Sequence, residues 1–228
     1  MPVQNNIFNE FADSIGIPDM GLRILDAAMT LFAQKGYAAT SVREIVQLAE
    51  ATNPMLYYYF NNKEGVFLKL IEIMHGLLEE SIAQAIDQPV SFEQKIHALI
   101  DLHFNAFHEA PHAVRFMYAA LFSARDSRPD FDAFSKRQRG IVLLTTMFDD
   151  AIEAGEFTPT EGLSSAFLAT QLLGMLSQNV MLAVAQHNNI HNEAIIQKED
   201  STDALCLLGQ HAREQVFLCF FQGAGQLK

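Results

Sequence analysis

Apolar side chains recur at Ile24, Ala27, Ala28, Leu31 and Phe32, the i, i+3, i+4, i+7, i+8 spacing of one helical face. The spacing predicts a helix from about Asp19 to Lys35, ended by Gly36. A short helix follows from Ser41, which with Glu44 spells a capping box, and Val42, Ile45, Val46 and Ala49 form its inner face. A third is predicted near Thr52–Asn53–Pro54, a capping side chain followed by a proline that loses no bond in a first turn, and it runs to about Tyr59. Asn62 then caps a fourth, longer helix whose stripe is Val66, Phe67, Leu70, Ile71, Met74, Leu77 and Leu78. Residues 1–17 are a polar lead with Phe8, Phe11 and Ile15 at helical spacing, either an arm or one short helix. Beyond Asp87, helices are expected near 91–109, 112–124, 130–154, 162–187 and 203–222. Turn chemistry separates them at Gln88–Pro89, Ala110–Pro111, Arg128–Pro129, Gly155 with Thr158–Pro159, and His187–Asn189. No stretch alternates with period 2, so the expected fold class is all-α with no sheet.

The 228 residues are 50% hydrophobic and only 18% charged, which excludes a disordered or solvating chain. Two cysteines, Cys206 and Cys219, cannot build a disulfide framework and read as thiols in a reducing cytosol. The N-terminus lacks a basic region followed by a continuous apolar one, so no secretory signal is expected, and the predicted location is the cytoplasm. Gly162 to Asn192 holds no Asp, Glu, Lys or Arg, yet Gln171, Gln178, Asn179 and Gln186 punctuate it. Such amides are costly in lipid, and a helix buried between protein surfaces in a soluble chain fits better. A net charge of −12 argues at first against nucleic acid. Its distribution changes that picture: from Pro18 to Leu70 five basic residues balance five acidic ones, so the surplus sits in the rest of the chain.

Three short helices ending in a tight turn follow the plan of a helix-turn-helix module. The second helix of such a pair lies in the major groove and meets base edges with its first residues. Here it opens with Asn53, Pro54 and Met55. Asparagine pairs bidentately with adenine, and Met or Pro touches a thymine methyl. Tyr57, Tyr58 and Tyr59 follow about 100° apart around the helix, so at most two face DNA.

The string Ile24–Leu25–Asp26–Ala27–Ala28, Lys35–Gly36–Tyr37, Thr40–Ser41–Val42–Arg43–Glu44–Ile45 and Leu56–Tyr57–Tyr58–Tyr59–Phe60–Asn61–Asn62–Lys63–Glu64 closely resembles the DNA-binding half of TetR-type transcriptional regulators. The resemblance implies an N-terminal three-helix DNA-binding domain at 18–64, after the 1–17 lead, and a larger helical effector-binding and dimerisation domain at 65–228. It implies a repressor that binds a palindromic double-stranded operator as a homodimer and leaves it when a small effector binds. It also assigns roles: Ser41 and Arg43 as phosphate and groove contacts, Asn53, Pro54, Met55 and Tyr58 as the base-reading surface, and Tyr57, Tyr59 and Lys63 as phosphate clamps. Against these roles stand core packing for Tyr57 and Phe60, and a solvated surface charge for Arg43. The chain departs from the family where glycine is usual in the interhelical turn: it has Glu50, followed by Ala51. If that turn needs φ > 0, Glu50 costs on the order of 1 kcal/mol.

His108–Glu109–Ala110–Pro111–His112 spells the H-E-x-x-H zinc signature, but Pro111 cannot sit inside the unbroken helix that chemistry needs. Glu72–His75 is a single E-x-x-H without the second copy a di-iron bundle requires. His97, Asp101 and His108 share a helix face, where partnered or solvated side chains are expected rather than a metal. No catalytic residue, cofactor or metal site is read. The middle helices hold many Phe and Met, which is either a plain core or, as the resemblance implies, the wall of a cavity for an apolar or aromatic effector. Its candidate lining is His103, Phe107, Arg115, Tyr118, Phe122, Phe148, Gln171 and Met175. The helices near 162–187 and 203–222, the latter with Leu205, Leu208, Val216, Phe217, Phe220 and Phe221, are apolar on more than one face and are expected to pair in a dimer. An apolar-ligand carrier or all-α enzyme keeping the N-terminal module as scaffold is the alternative, and an oligomerisation module using Tyr57–Tyr59 is a third reading.

Overall fold

The computed structural model describes residues 6–189 and 208–227. In chain order these form α1 (Asn6–Ser14), α2 (Asp19–Lys35), α3 (Val42–Leu48), α4 (Asn53–Phe60), α5 (Lys63–Ile86), α6 (Phe92–Glu109), α7 (Pro111–Phe122), a 3₁₀ turn (Arg125–Ser127), α8 (Ala133–Glu153), β1 (Phe157–Pro159), α9 (Ser165–Asn189), α10 (Gln210–Ala224) and β2 (Gly225–Leu227). The described chain divides into two compact units, one of residues 6–78 with 109–134, the other of 79–108 with 135–189 and 208–227.

The first unit is built on α2. Its helical stripe buries Ile24, Leu25, Ala28 and Phe32 against Ile45 of α3, Leu56 and Phe60 of α4, and Val66, Phe67 and Leu70 of α5. Gly36 ends α2 at φ 81° with its N–H on the Phe32 carbonyl, the left-handed stop that glycine adopts freely. The Ser41–Glu44 capping box is present in full. Asn62 caps α5 by accepting from the Gly65 N–H at 2.7 Å. Gly65 also lies hard against the end of α4: a Cβ there would lie 1.9 Å from the Phe60 carbonyl oxygen. Phe116 of α7 belongs to this same core, stacked on Phe32 at 6.0 Å and edge-on to Phe67 at 5.4 Å. Phe8 of α1 is buried in it too, while Ile15 is exposed.

The second unit gathers α6, α8, α9 and α10 around an aromatic cluster. Phe92 packs at 5.2 Å from both Phe148 and Phe157, and Phe220 lies 5.9 Å from Phe148. Glu156 accepts from the Phe92 N–H at 2.6 Å and so satisfies one free amide at the start of α6. Arg213 pairs with Asp101 and donates to Asn105 at 2.7 Å, which fixes α10 on α6.

All-α architecture is what the sequence predicts, with one addition. β1 and β2 pair antiparallel, Phe157 opposite Leu227 and Pro159 opposite Gly225. Three residues are too few to show an alternating pattern, and the partner lies at the far end of the chain, so the expectation of no sheet misses this ribbon. Helix limits also shift. The predicted 112–124 starts at Pro111, 130–154 starts at Ala133, and 203–222 begins at Gln210 and extends to Ala224, its residues 203–207, Leu205 and Cys206 among them, lying outside the described residues. The turn expected at His187–Asn189 is the end of α9 instead. Ser165–Ala185 is long and apolar enough to cross a membrane by length and composition, and Leu168, Leu172, Leu173, Leu176, Val180 and Val184 along it are buried.

Candidate nucleic-acid interface

The α3–α4 corner is set by backbone chemistry after α3. The Ala51 N–H bonds the Val46 carbonyl at 2.8 Å and the Glu50 N–H the Gln47 carbonyl at 3.3 Å, a Schellman closure around Glu50. Glu50 sits at φ 50°, so the glycine-type conformation is indeed demanded of a glutamate. Its carboxylate is held by Arg23 at 2.8 Å.

From that corner α4 leaves with its first turn uncovered. Thr52 is extended but makes no capping bond, contrary to the side-chain cap expected near Thr52–Asn53, so the first amides of α4 carry no side-chain acceptor. Asn53, Pro54 and Met55 are exposed, Tyr58 is 82% and Tyr57 49% exposed, and Leu56 and Phe60 are buried beneath. Core packing for Tyr57 is therefore overturned, while Phe60 packs as that reading has it. Tyr59 is half-buried, edge-on to Tyr58 at 5.0 Å. The face Asn53–Met55–Tyr58 thus offers an amide, a thioether and a phenol, the donor, acceptor and methyl-contacting chemistry that base edges require. Tyr58 and Tyr59 also border a cleft of about 550 Å³ with Ile17, Pro18, Leu68, Lys69 and Glu72, the last two paired with each other at 3.1 Å.

The cations behave differently from their sequence count. Lys35 pairs with Glu44 at 2.5 Å, Arg23 with Glu50, and Lys69 with Glu72. Lys63, expected at a phosphate, donates to the Tyr37 and Thr40 carbonyls at 2.9 and 2.8 Å and lies 4.0 Å from the Tyr37 ring centre. It serves the α2–α3 connection with two of its three protons, and burial lowers its pKa. Among the described residues of 18–70, Arg43 alone is a cation without a partner, exposed on α3. Ser41 is exposed, but its hydroxyl donates to Glu44 at 2.8 Å and accepts from the Glu44 N–H. The Lys35 and Ser41 hydrogen bonds hold the Glu44 carboxyl at a pKa of about 2. Arg23–Glu50 is one of the pairs the sequence reading misses, joining residues 27 apart across the turn at Glu50.

The effector candidates fall in different units. Arg115, Tyr118 and Phe122 lie on α7 in the first; His103, Phe107, Phe148, Gln171 and Met175 lie in the second. Phe122 is 69% exposed and Gln171 is exposed, so neither is a buried wall of its own unit; Phe107 and Phe148 are buried core. His103 donates Nδ1–H to the Leu99 carbonyl at 3.0 Å, and burial lowers its pKa. Pro111 opens α7 and Glu109 closes α6, so His108 and His112 stand on separate helices. His97 stacks on Phe217 at 4.2 Å and Asp101 holds Arg213, which gives both the partnered roles expected of them.

Residues 24–70 match the sequence profile described as bacterial regulatory proteins, tetR family. The chain is 28% identical over 170 residues to the HTH-type transcriptional regulator EthR of Mycolicibacterium smegmatis, covering 73% of this chain and 76% of that one. A shorter match, 41% over 58 residues, relates it to the HTH-type transcriptional regulator QacR of Staphylococcus aureus and spans 25% of this chain and 31% of QacR. Its fold is similar to that of the transcriptional regulator FadR from Bacillus subtilis, crystallised in complex with stearoyl-CoA, with a TM-score of 0.67 at 19% identity, over 89% of this chain and 98% of FadR.

Proposed function

Because the chain belongs to the tetR family of bacterial transcriptional regulators, and is a regulator rather than an enzyme, we propose that it is a cytoplasmic repressor that reads a palindromic operator as a homodimer and releases it on binding a small apolar or aromatic effector. The observation that carries this is the uncovered reading face, Asn53, Pro54, Met55 and Tyr58, at the start of a helix seated on a buried core. Tyr57 and Tyr59 flank it, Arg43 reaches backbone phosphate from α3, Ser41 at the cap of α3 joins it by turning its hydroxyl proton from Glu44 to the phosphate, and Lys63 offers its one remaining proton beside them. The functional division follows the sequence: residues 18–64 read DNA, and 65–228 bind effector and dimerise.

The dimer reading rests on α9 and α10. Phe167, Thr170, Gln171, Gln178 and Leu182 form an exposed stripe of α9 without a charge, and Leu218, Cys219 and Gln222 of α10 are exposed as well. An uncharged stripe containing two large apolar side chains suits a second copy of the same helices. The effector acts by preferring one of two head spacings, so its differential affinity sets the loss of DNA affinity. α5, which contributes to both units, is the lever in this scheme.

Selection of the purified chain on random duplex pools, followed by sequencing of the retained DNA, tests the reading. The expected result is an inverted repeat whose half-sites lie about one helical turn, roughly 34–36 Å, or a multiple apart. Asn53→Ala with Tyr58→Ala is expected to abolish the enrichment while the helical content stays intact. Retention of enrichment by that variant would refute the assignment of the reading face.

A further inference from the structure

We propose that Arg115 and His112 form a carboxylate-binding site on α7, where an amphipathic effector places its anionic head while its apolar body lies along Tyr118 and Phe122. This deepens, and rests on, the effector-responsive reading above.

Arg115 holds donors without acceptors. The Nε and Nη2 atoms of Arg115 are buried, and neither meets a hydrogen-bond partner among the described residues. These two atoms are one edge of the guanidinium plane, the edge whose parallel N–H bonds match the two oxygens of a carboxylate. His112 Nδ1 is likewise buried without a partner, one helical turn before Arg115 and therefore on the same side of α7. None of the described ion pairs involves Arg115, although buried polar groups are nearly always satisfied. Burial lowers the pKa of both groups, and the Arg115 charge lowers that of His112 further.

The helix itself favours an anion at this spot. The first turn of α7 carries no acidic residue, and Ala110 before it supplies no capping side chain, so no side chain of the helix or its cap occupies the positive end. Continuing along the same side, Tyr118 and Phe122 stand three and seven residues beyond Arg115 with rings 15° from parallel and 6.1 Å apart. Phe122 is largely exposed. One face of α7 therefore runs from three buried, unpartnered nitrogens to a pair of aromatic rings, the polarity of a carboxylic acid with an apolar tail or ring. The sequence shows His112 only as half of a broken zinc motif, and Arg115 as one of several polar candidates.

The full-length protein, without DNA, is titrated calorimetrically with octanoate, 4-phenylbutyrate, their alcohols and octyl phosphate. Saturation by at least one carboxylate with Kd below about 1 mM, and binding of its alcohol about tenfold weaker or worse, are expected for a charge-assisted bidentate contact. Arg115→Met is expected to weaken the carboxylate by about tenfold or more without lowering the melting temperature, because it removes a buried donor that has no partner. Arg115→Lys keeps the charge but not the fork, and is expected to lose most of the same affinity while folding normally. Equal binding of acid and alcohol, unchanged affinity in either variant, a clear fall in melting temperature for Arg115→Met, preference for octyl phosphate, or no carboxylate saturating by about 10 mM would each overturn the site. Operator retention by the wild-type chain is measured separately: its failure refutes the regulator reading and leaves the titration intact, whereas carboxylate-induced release that Arg115→Met abolishes supports both.

Discussion

Glu50 holds a conformation that favours glycine, at φ 50° in the turn that aims α4. Replacing it separates two opposing effects. The left-handed conformation costs a residue with a Cβ about 1–2 kcal/mol, whereas the Arg23–Glu50 pair, with both side chains substantially exposed, returns about 0–1 kcal/mol. Glu50→Gly loses the pair and the strain together; Glu50→Ala loses the pair and keeps the strain. The glycine variant should therefore exceed the alanine variant by about 1 kcal/mol, reduced somewhat by the greater unfolded-chain entropy of glycine. In a chain of this size 1 kcal/mol moves the melting temperature by about 2–4 °C. Urea unfolding followed by circular dichroism at one fixed protein concentration measures the order, since association shifts apparent stability. Both variants also free Arg23 and remove a negative charge beside the reading face, so both should bind duplex DNA more tightly at low salt. An alanine variant as stable as the glycine variant would refute the strain argument, and unchanged DNA affinity in both would refute the placement of residue 50 near DNA.

Arg43→Ala should flatten the dependence of log affinity on log salt by about 0.9 per protomer, the contribution of one phosphate contact, whereas Lys63→Ala should act mainly on stability because Lys63 bonds the Tyr37 and Thr40 carbonyls; filter retention across a salt series distinguishes them. Gly65→Ala should destabilise the first unit by about 2 kcal/mol or more, since its new methyl meets backbone rather than a movable side chain, and denaturant titration reads the loss. Glu44 is held at a pKa of about 2 from an ordinary 4.5, so its stabilisation is complete above pH 4.5 and disappears as pH falls towards 2. Unfolding curves of the wild type and Glu44→Gln should therefore differ at pH 6 and converge near pH 2, in added salt less than without it, because the Glu44 pair is at the surface.

The helices, their stops and the reading face were legible along the chain because each depends on a local rule. The Ser41–Glu44 box, Gly36, Asn62 and the break at Pro111 act within a turn or two of backbone, and apolar spacing of 3.6 fixes which side of α2 and α4 is buried. That same locality left Asn53, Met55 and Tyr58 facing outward, since burying Leu56 and Phe60 on one side of a short helix turns the others away.

What only the tertiary structure decided is who meets whom across long separations. No spacing rule tells that Lys63 reaches back to carbonyls at 37 and 40, that Glu50 holds Arg23, that Phe116 completes the core of α2, or that residues 157–159 pair with 225–227. A count of charges treats every lysine and arginine as available, but a cation already engaged by a carboxylate or carbonyl offers less to a phosphate, and the folded chain leaves Arg43 as the free one among the described residues of 18–70. The buried, acceptor-less edge of Arg115 is of the same kind: its residue type was visible in the chain, while its want of a partner is a property of everything packed around it.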